Sequence, residues 1–193
     1  GTFPLNMYEE SVKVPFIARH PGRIPAGVVC DSLVSAYDFM PTLLDYLGLK
    51  PLDMAKRPGV SFVPALLGQG FERPGGIVVM DEYGPNRMLR DQRYKYIARY
   101  PYGPNALYDL KADPGEQDNL LAHGGFEALE QELRGRLEKW FAKYVNPEID
   151  GAREAVFGSG QIGLAGLWGA GVSAHSCDDY IKKNPNYALY RVK

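Results

Sequence analysis

The sequence has little of what marks many catalytic and metal-binding sites. Its two cysteines, Cys30 and Cys177, lie far apart and form no C-x-x-C or zinc-binding pattern. Its three histidines, His20, His123 and His175, are scattered without H-x-x-x-H spacing. These side chains predict no metal ligand, and we interpret them as incidental thiols and as surface or satisfied histidines.

Charge of one sign and long apolar runs are also lacking. The 22 basic and 23 acidic residues are interspersed and leave a formal charge of -1, which predicts no nucleic-acid partner. The longest apolar stretches, such as 163–172, are short and rich in glycine, below the roughly 20 residues that a membrane-spanning helix needs. With 45% apolar residues in 193, the chain can build a core in one or two domains.

Motifs for nucleophilic or phosphate chemistry are missing from the sequence as well. It contains no G-x-S-x-G elbow and no G-x-x-x-x-G-K-[ST] loop. The adjacent carboxylates Glu9 and Glu10 would point to opposite faces of a strand, so their spacing alone makes no acid/base pair. We therefore predict no catalytic residue in this chain.

What the sequence does contain begins with a strand and a helix. Residues 12–18 are rich in β-branched and aromatic side chains and precede a turn, which predicts a strand with Pro15 at an edge or bulge. A helix is predicted from about Phe39 to Leu47, with Asp38 as N-cap and Gly48 as C-cap. A short helix is expected in the loop that follows.

Further along, strand-like runs separated by turn residues predict a small antiparallel sheet. They are residues 77–80, 87–90, 94–99 and 106–110. Tyr94, Tyr96 and Ala98 share one face of such a strand and Lys95 and Arg99 the other, so we expect one covered face and one wet face.

Apolar residues at intervals of three and four between Phe126 and Tyr144 predict an amphipathic helix over the sheet's apolar face. The fold class is α/β: a strand-helix segment from a larger parallel sheet, then a small antiparallel sheet under a long C-terminal helix. We divide the chain into 1–75, 76–145 and a Gly-rich tail at 146–193 without trusted periodicity.

Two ordered stretches carry a resemblance to a known family. The first comprises Met7-Tyr8-Glu9-Glu10-Ser11-Val12-Lys13-Val14-Pro15, His20-Pro21-Gly22, and Asp38-Phe39-Met40-Pro41-Thr42-Leu43-Leu44. The second comprises Arg90-Asp91-Gln92-Arg93-Tyr94-Lys95-Tyr96, Leu107-Tyr108-Asp109-Leu110, and Asp113-Pro114-Gly115-Glu116. In order and spacing, roughly residues 6–145 resemble the C-terminal portion of a type I sulfatase of the alkaline-phosphatase-like superfamily.

The resemblance implies a parent enzyme that hydrolyses sulfate esters of a small molecule or glycan. It would use a formylglycine, made from a Cys in C-x-[PA]-x-R, and a divalent cation, usually calcium. Neither Cys30 nor Cys177 lies in that motif, and the family's D-H-G metal motif is missing too. We therefore expect the chain alone to be inactive, and its first residues to be an interior position of a longer polypeptide.

The resemblance also suggests substrate-binding residues. The family's sulfate-binding Lys precedes the M-Y-E segment and would lie just upstream of Gly1, so Thr2, Phe3 and Asn6 are candidates for lining the pocket. Asn86 and Arg87, expected in the loop before a strand, are candidates for contacting the leaving group.

Two other functions stay open: a related phosphonate or phosphodiester hydrolase, and a non-catalytic binding or assembly module. As a fragment, the chain should expose a strand edge and an apolar patch at residues 12–47, which favours homo-oligomers or poor solubility. The sequence indicates neither the substrate nor the localisation.

Overall fold

The computed structural model describes residues 7–50, 53–81, 86–100 and 104–150. Its helices are α1 (Glu9–Val12), α2 (Phe39–Tyr46), α3 (Val63–Leu66) and α4 (Glu127–Tyr144), and its strands are β1 (Ile77–Met80), β2 (Asn86–Arg90), β3 (Tyr94–Arg99) and β4 (Ala106–Asp109). Short 3-10 turns occur at Ala36–Asp38, Leu120–Ala122 and Pro147–Ile149. None of the helices in these ranges has the length and apolarity needed to cross a membrane.

The strands form one antiparallel sheet in the order β1-β2-β3-β4, with each strand paired to the next along the chain. One face of the sheet packs against α4. Tyr96 and Leu107 from the sheet are fully buried in one cluster with Leu133, Leu137 and Phe141 of the helix. The predicted sheet, helix and α/β class are confirmed.

The prediction of a wet second face was wrong. Lys95 has no exposed surface and Arg99 is only 8% exposed. The same face carries apolar side chains from three strands, Met88, Ile97, Ala106 and Tyr108, and the segment that begins at Met7 covers them. Because the two charged residues dominate the alternation of β3, the apolar Ile97 between them was overlooked, yet this face also has to be covered.

The front segment differs from its prediction in two ways. Residues 13–18 form no strand, and α1 occupies the end of the M-Y-E-E-S-V stretch. A strand needs a partner for its backbone groups, and within the described ranges none pairs with these residues. The helix α2 lies where it was predicted and ends at Gly48 (φ 65°), and α3 is the expected short helix.

Asp38 does occupy the N-cap position of α2, but its side chain does not cap that helix. Its carboxylate instead accepts backbone hydrogen bonds from Ser35 (2.7 Å) and Val60 (2.9 Å) and forms a buried ion pair with Arg73. Asp38 thereby joins α2 to the loop that leads into the sheet.

Candidate functional site

A buried ionic cluster fills the second face of the sheet, and Lys95 of β3 lies at its centre. The Lys95 Nζ atom lies 2.8 Å from Glu9 Oε1 and 2.7 Å from Glu116 Oε1. It also donates a hydrogen bond of 3.1 Å to the carbonyl oxygen of Met7. A buried ammonium is stable only with such partners, so Lys95 ties the N-terminal segment to the sheet.

Arg90 of β2 completes the cluster, since its Nε donates to Glu9 Oε1 at 3.0 Å. The cluster thus balances two cations, Lys95 and Arg90, with two carboxylates, Glu9 and Glu116. Burial by itself would raise the pKa of Glu9, but hydrogen bonds and charge from Lys95 and Arg90 outweigh it, so this pKa lies below its ordinary value of 4.5.

Glu116 supports the same segment through its second carboxylate oxygen. Its Oε2 accepts a hydrogen bond of 2.6 Å from the backbone N–H of Glu9, the first residue of α1. Glu116 has a φ of 53°, the one positive value found at a non-glycine residue in the described ranges. Such a conformation is costly for a residue with a Cβ, so the side chain has to be well fixed by its partners.

A second polar group lies at the start of β2, where the prediction had expected a loop. Asn86 is fully buried, and its Nδ2 donates to Asp81 Oδ2 at 2.6 Å. Its Oδ1 is buried and accepts no hydrogen bond from the described part of the chain. A buried amide oxygen without a donor is rare in proteins, which makes Asn86 a candidate for a ligand contact.

Arg87 points to the opposite face and is held by the C-terminal helix and the chain after it. Its guanidinium lies 3.8 Å from the ring centroid of Phe141 and 5.0 Å from that of Tyr100, and it forms an ion pair with Asp150. Both candidates therefore belong to the strand, Asn86 on one face and Arg87 on the other. Thr2, Phe3 and Asn6 lie outside the described residues.

Sequence reasoning missed Lys95 and Glu116 as members of a site. The available signal was their presence in the second family-like stretch, while Glu9 belongs to the first. The cluster is the place where the two stretches that carry the resemblance meet.

The described residues offer no fit for the cation or for the formylglycine of the expected parent. They bring together no group of three or more His, Cys, Asp or Glu side chains that could hold a metal ion. Cys30 is an exposed free thiol, outside the modification motif. We route no chemical step through either group in these residues.

The predicted apolar patch is present in the front segment. Within the described ranges the exposed large apolar side chains, Met80 apart, all fall between Val14 and Leu49. Ile17 is 90% exposed, Val29 85% and Val14 75%. We call this group the front surface; it comprises Val14, Phe16, Ile17, Val28, Val29, Phe39, Met40, Leu43, Leu47 and Leu49.

Comparison with known proteins agrees with this architecture. The chain is 32% identical to a Δ4,5-hexuronate-2-O-sulfatase of Bacteroides thetaiotaomicron, over 72% of this chain and 30% of the relative. It is 30% identical to an N-acetylglucosamine-6-O-sulfatase of the same organism, over 78% of this chain and 29% of the relative. The chain thus spans about 30% of the length of these curated relatives.

Among solved structures, a phosphonate monoester hydrolase from Silicibacter pomeroyi shares the fold, with a TM-score of 0.53, 19% identity, and coverage of 67% of this chain and 29% of that one. The model of the family described as N-sulphoglucosamine sulphohydrolase, C-terminal, matches residues 5–143. This chain therefore belongs to that family, the C-terminal domain of sulfatases.

Proposed function

We propose that this chain forms the C-terminal portion of an enzyme that hydrolyses sulfate esters, and that the nucleophile and the metal ligands come from a part of the protein outside residues 1–193. The observation that carries the proposal is the match of residues 5–143 to a C-terminal sulfatase model. The span of about 30% of the curated relatives supports it, because the remaining length leaves room for the catalytic machinery.

On this proposal the chain alone is inactive. Hydrolysis of a sulfate ester needs an activated nucleophile, cationic groups that stabilise the sulfate oxygens, and an acid for the leaving group. The related family would supply them with a formylglycine and a divalent cation, probably bound upstream of Gly1 in the chain order. This chain would contribute the wall on the substrate side.

The substrate class that we propose is a sulfated sugar. Both curated relatives described above are named for sulfated sugar units, a hexuronate and N-acetylglucosamine. The acceptor oxygen of Asn86, buried without a donor, would receive a hydrogen bond from a hydroxyl group of the sugar. Arg87, and Thr2, Phe3 and Asn6 before the described segment, would border the same pocket.

The test uses the polypeptide encoded by the reading frame continued upstream of Gly1. We expect a C-x-[PA]-x-R motif there, and hydrolysis of 4-nitrophenyl sulfate and of sulfated glucosamine by the longer polypeptide but not by residues 1–193 alone. An early upstream stop codon, or turnover by the 193-residue chain itself, contradicts the proposal. Faster turnover of an aryl phosphonate than of the sulfate would favour the phosphonate hydrolase, with which the chain shares its fold.

The two substrate-side residues of β2 are tested in the longer polypeptide. Asn86→Ala should raise KM for a sulfated sugar while leaving KM for 4-nitrophenyl sulfate nearly unchanged, because the small aryl substrate lacks the sugar hydroxyl. Arg134→Ala, which removes an exposed helix ion pair with Glu138, is the control and should alter neither constant. Equal effects of Asn86→Ala on both substrates would assign Asn86 to structure alone.

A further inference from the structure

The Lys95 cluster connects two parts of the chain that lie far apart in the sequence. Lys95 follows the β2–β3 turn, Glu116 follows β4, and both contact the segment that starts at Met7. Three bonds converge on that segment: Lys95 Nζ to the Met7 carbonyl, Lys95 Nζ to the Glu9 carboxylate, and Glu116 Oε2 to the Glu9 N–H. The path of the chain at Met7 is therefore fixed from two sides.

The cluster is more elaborate than packing of the segment requires. Met7 already buries its side chain against Met88, Ile97 and Tyr108, and apolar contacts of this kind would hold it without charges. A buried ion pair adds little net stability compared with apolar residues of similar size, but it does select one geometry when every partner is satisfied. The left-handed backbone of Glu116 fits the same interpretation, because a strained residue persists where its surroundings dictate its position.

We propose that Lys95, oriented by Glu116, is a positioning residue for the substrate side of the active site. By holding the carbonyl of Met7 and the first turn of α1, it sets the point from which residues 1–6 extend toward the pocket. This inference rests on the proposed function, in which Thr2, Phe3 and Asn6 border that pocket. Lys95 is fully buried on the sheet and acts through Met7 and Glu9 rather than by touching substrate.

The experiment compares three variants of the longer polypeptide. Lys95→Met keeps the length and removes the charge, and Glu116→Gln keeps an acceptor oxygen and removes the charge. Leu133→Ala, in the core on the other face of the sheet under α4, is the control. Kinetics are measured well below the lowest Tm, so that all three proteins stay folded and a general loss of stability affects them alike.

We expect Lys95→Met to lower kcat/KM about tenfold or more, mainly through KM, because a small displacement of positioning groups is costly to turnover. Glu116→Gln should give a smaller loss in the same direction, and the double variant should lose less than the product of the single effects, since the residues act as one unit. Leu133→Ala should lower Tm with KM unchanged. An equal rise in KM for Leu133→Ala, or none for Lys95→Met, overturns the inference.

Hydrogen exchange of the peptide that contains residues 7–12 gives a second measurement that does not require activity. Lys95→Met should accelerate exchange there more than in β4, whereas Leu133→Ala should accelerate the two regions alike. If the wild-type polypeptide hydrolyses no sulfate ester, the proposed function fails while this comparison still decides the positioning role. Unchanged exchange at residues 7–12 in Lys95→Met overturns that role whatever the activity.

Discussion

Arg73 and Asp38 form an ion pair that is buried on both sides, with 4% of the arginine side chain and none of the aspartate side chain exposed. Arg73 also donates from Nε to the carbonyl oxygen of Gly76 at 2.9 Å. The pair therefore joins the start of α2 to the residues that lead into β1. It links the front segment to the sheet from the side away from the Lys95 cluster.

Arg73→Met should destabilise this connection strongly. It leaves the carboxylate of Asp38 buried without its cation, and removal of one partner of a buried pair typically costs about 3–5 kcal/mol. The free energy of unfolding from urea denaturation measures the loss. Arg57→Met, at an exposed arginine that binds the carbonyl oxygen of Asp53, is the control and should change it by less than about 0.5 kcal/mol. A loss for Arg73→Met as small as that of the control would contradict the structural role of the pair.

The elements that the sequence predicts well are those whose burial is decided locally. The strands β1 and β3 and the helix α4 carry their own periodic patterns, and their bounds agree with the predictions to within a residue. The second face of the sheet could not be predicted in this way. Its cover comes from Met7, 88 residues before Lys95 in the chain, and no local pattern in β3 records that distant contact.

The same reason explains what was missed at the candidate site. Lys95 has the composition of a solvent-exposed strand residue, and only its carboxylate partners from α1 and from the turn after β4 make burial possible. Asn86 and Arg87 were assigned to a loop because Gly84 and Pro85 precede them, yet their backbone groups pair with Arg99 and Ala98 of β3. Pairing between strands, which depends on the whole hairpin, outweighs the local turn signal there.

The front surface should drive self-association of the isolated chain. Exposed apolar groups of this kind mark an interface or an aggregation site, and Val14, Ile17 and Val29 are the most exposed of them. We expect oligomers in size-exclusion chromatography with light scattering, and a shift toward monomer for the triple variant Val14→Lys, Ile17→Lys, Val29→Lys. Adding the same charge with Glu10→Lys, Glu72→Lys and Gln92→Lys at exposed polar positions controls for net charge. A monomeric wild-type chain would contradict this prediction.

Acid should weaken the attachment of the N-terminal segment. The pKa of Glu9 is depressed in the folded chain, because its bonds to Lys95 and Arg90 outweigh the effect of burial, which acts to raise it. A group with a depressed pKa stabilises the fold fully above its ordinary value, here 4.5, and loses that contribution as the pH falls through the folded value.

Glu9→Gln should therefore lower the free energy of unfolding at pH 7, and the difference from wild type should shrink between pH 5 and pH 3. Urea denaturation over this range measures it. Glu10→Gln removes the same charge from the exposed neighbouring residue and is the control. A difference between Glu9→Gln and wild type that stays constant down to pH 3 would show that the loss comes from packing and not from ionisation.

Gly76 lies against the backbone of the neighbouring strand, and this contact can be tested separately from its unusual conformation. Gly75 and Gly76 have nearly the same positive φ, 76° and 77°, so alanine is strained at both, by about 1–2 kcal/mol. A Cβ at Gly75 would meet no atom within 4 Å, whereas one at Gly76 would lie 2.4 Å from the carbonyl oxygen of Arg90.

Gly76→Ala should therefore destabilise the chain by at least about 1 kcal/mol more than Gly75→Ala, because the carbonyl of Arg90 belongs to β2 and cannot move without disturbing the ladder. The two free energies of unfolding, measured side by side in urea, give this difference directly. Arg90 also belongs to the Lys95 cluster, so Gly76→Ala should loosen exchange at residues 7–12 as well, while Gly75→Ala should not. Equal stability of the two variants would mean that the close approach of β1 to β2 at Gly76 is absent in solution.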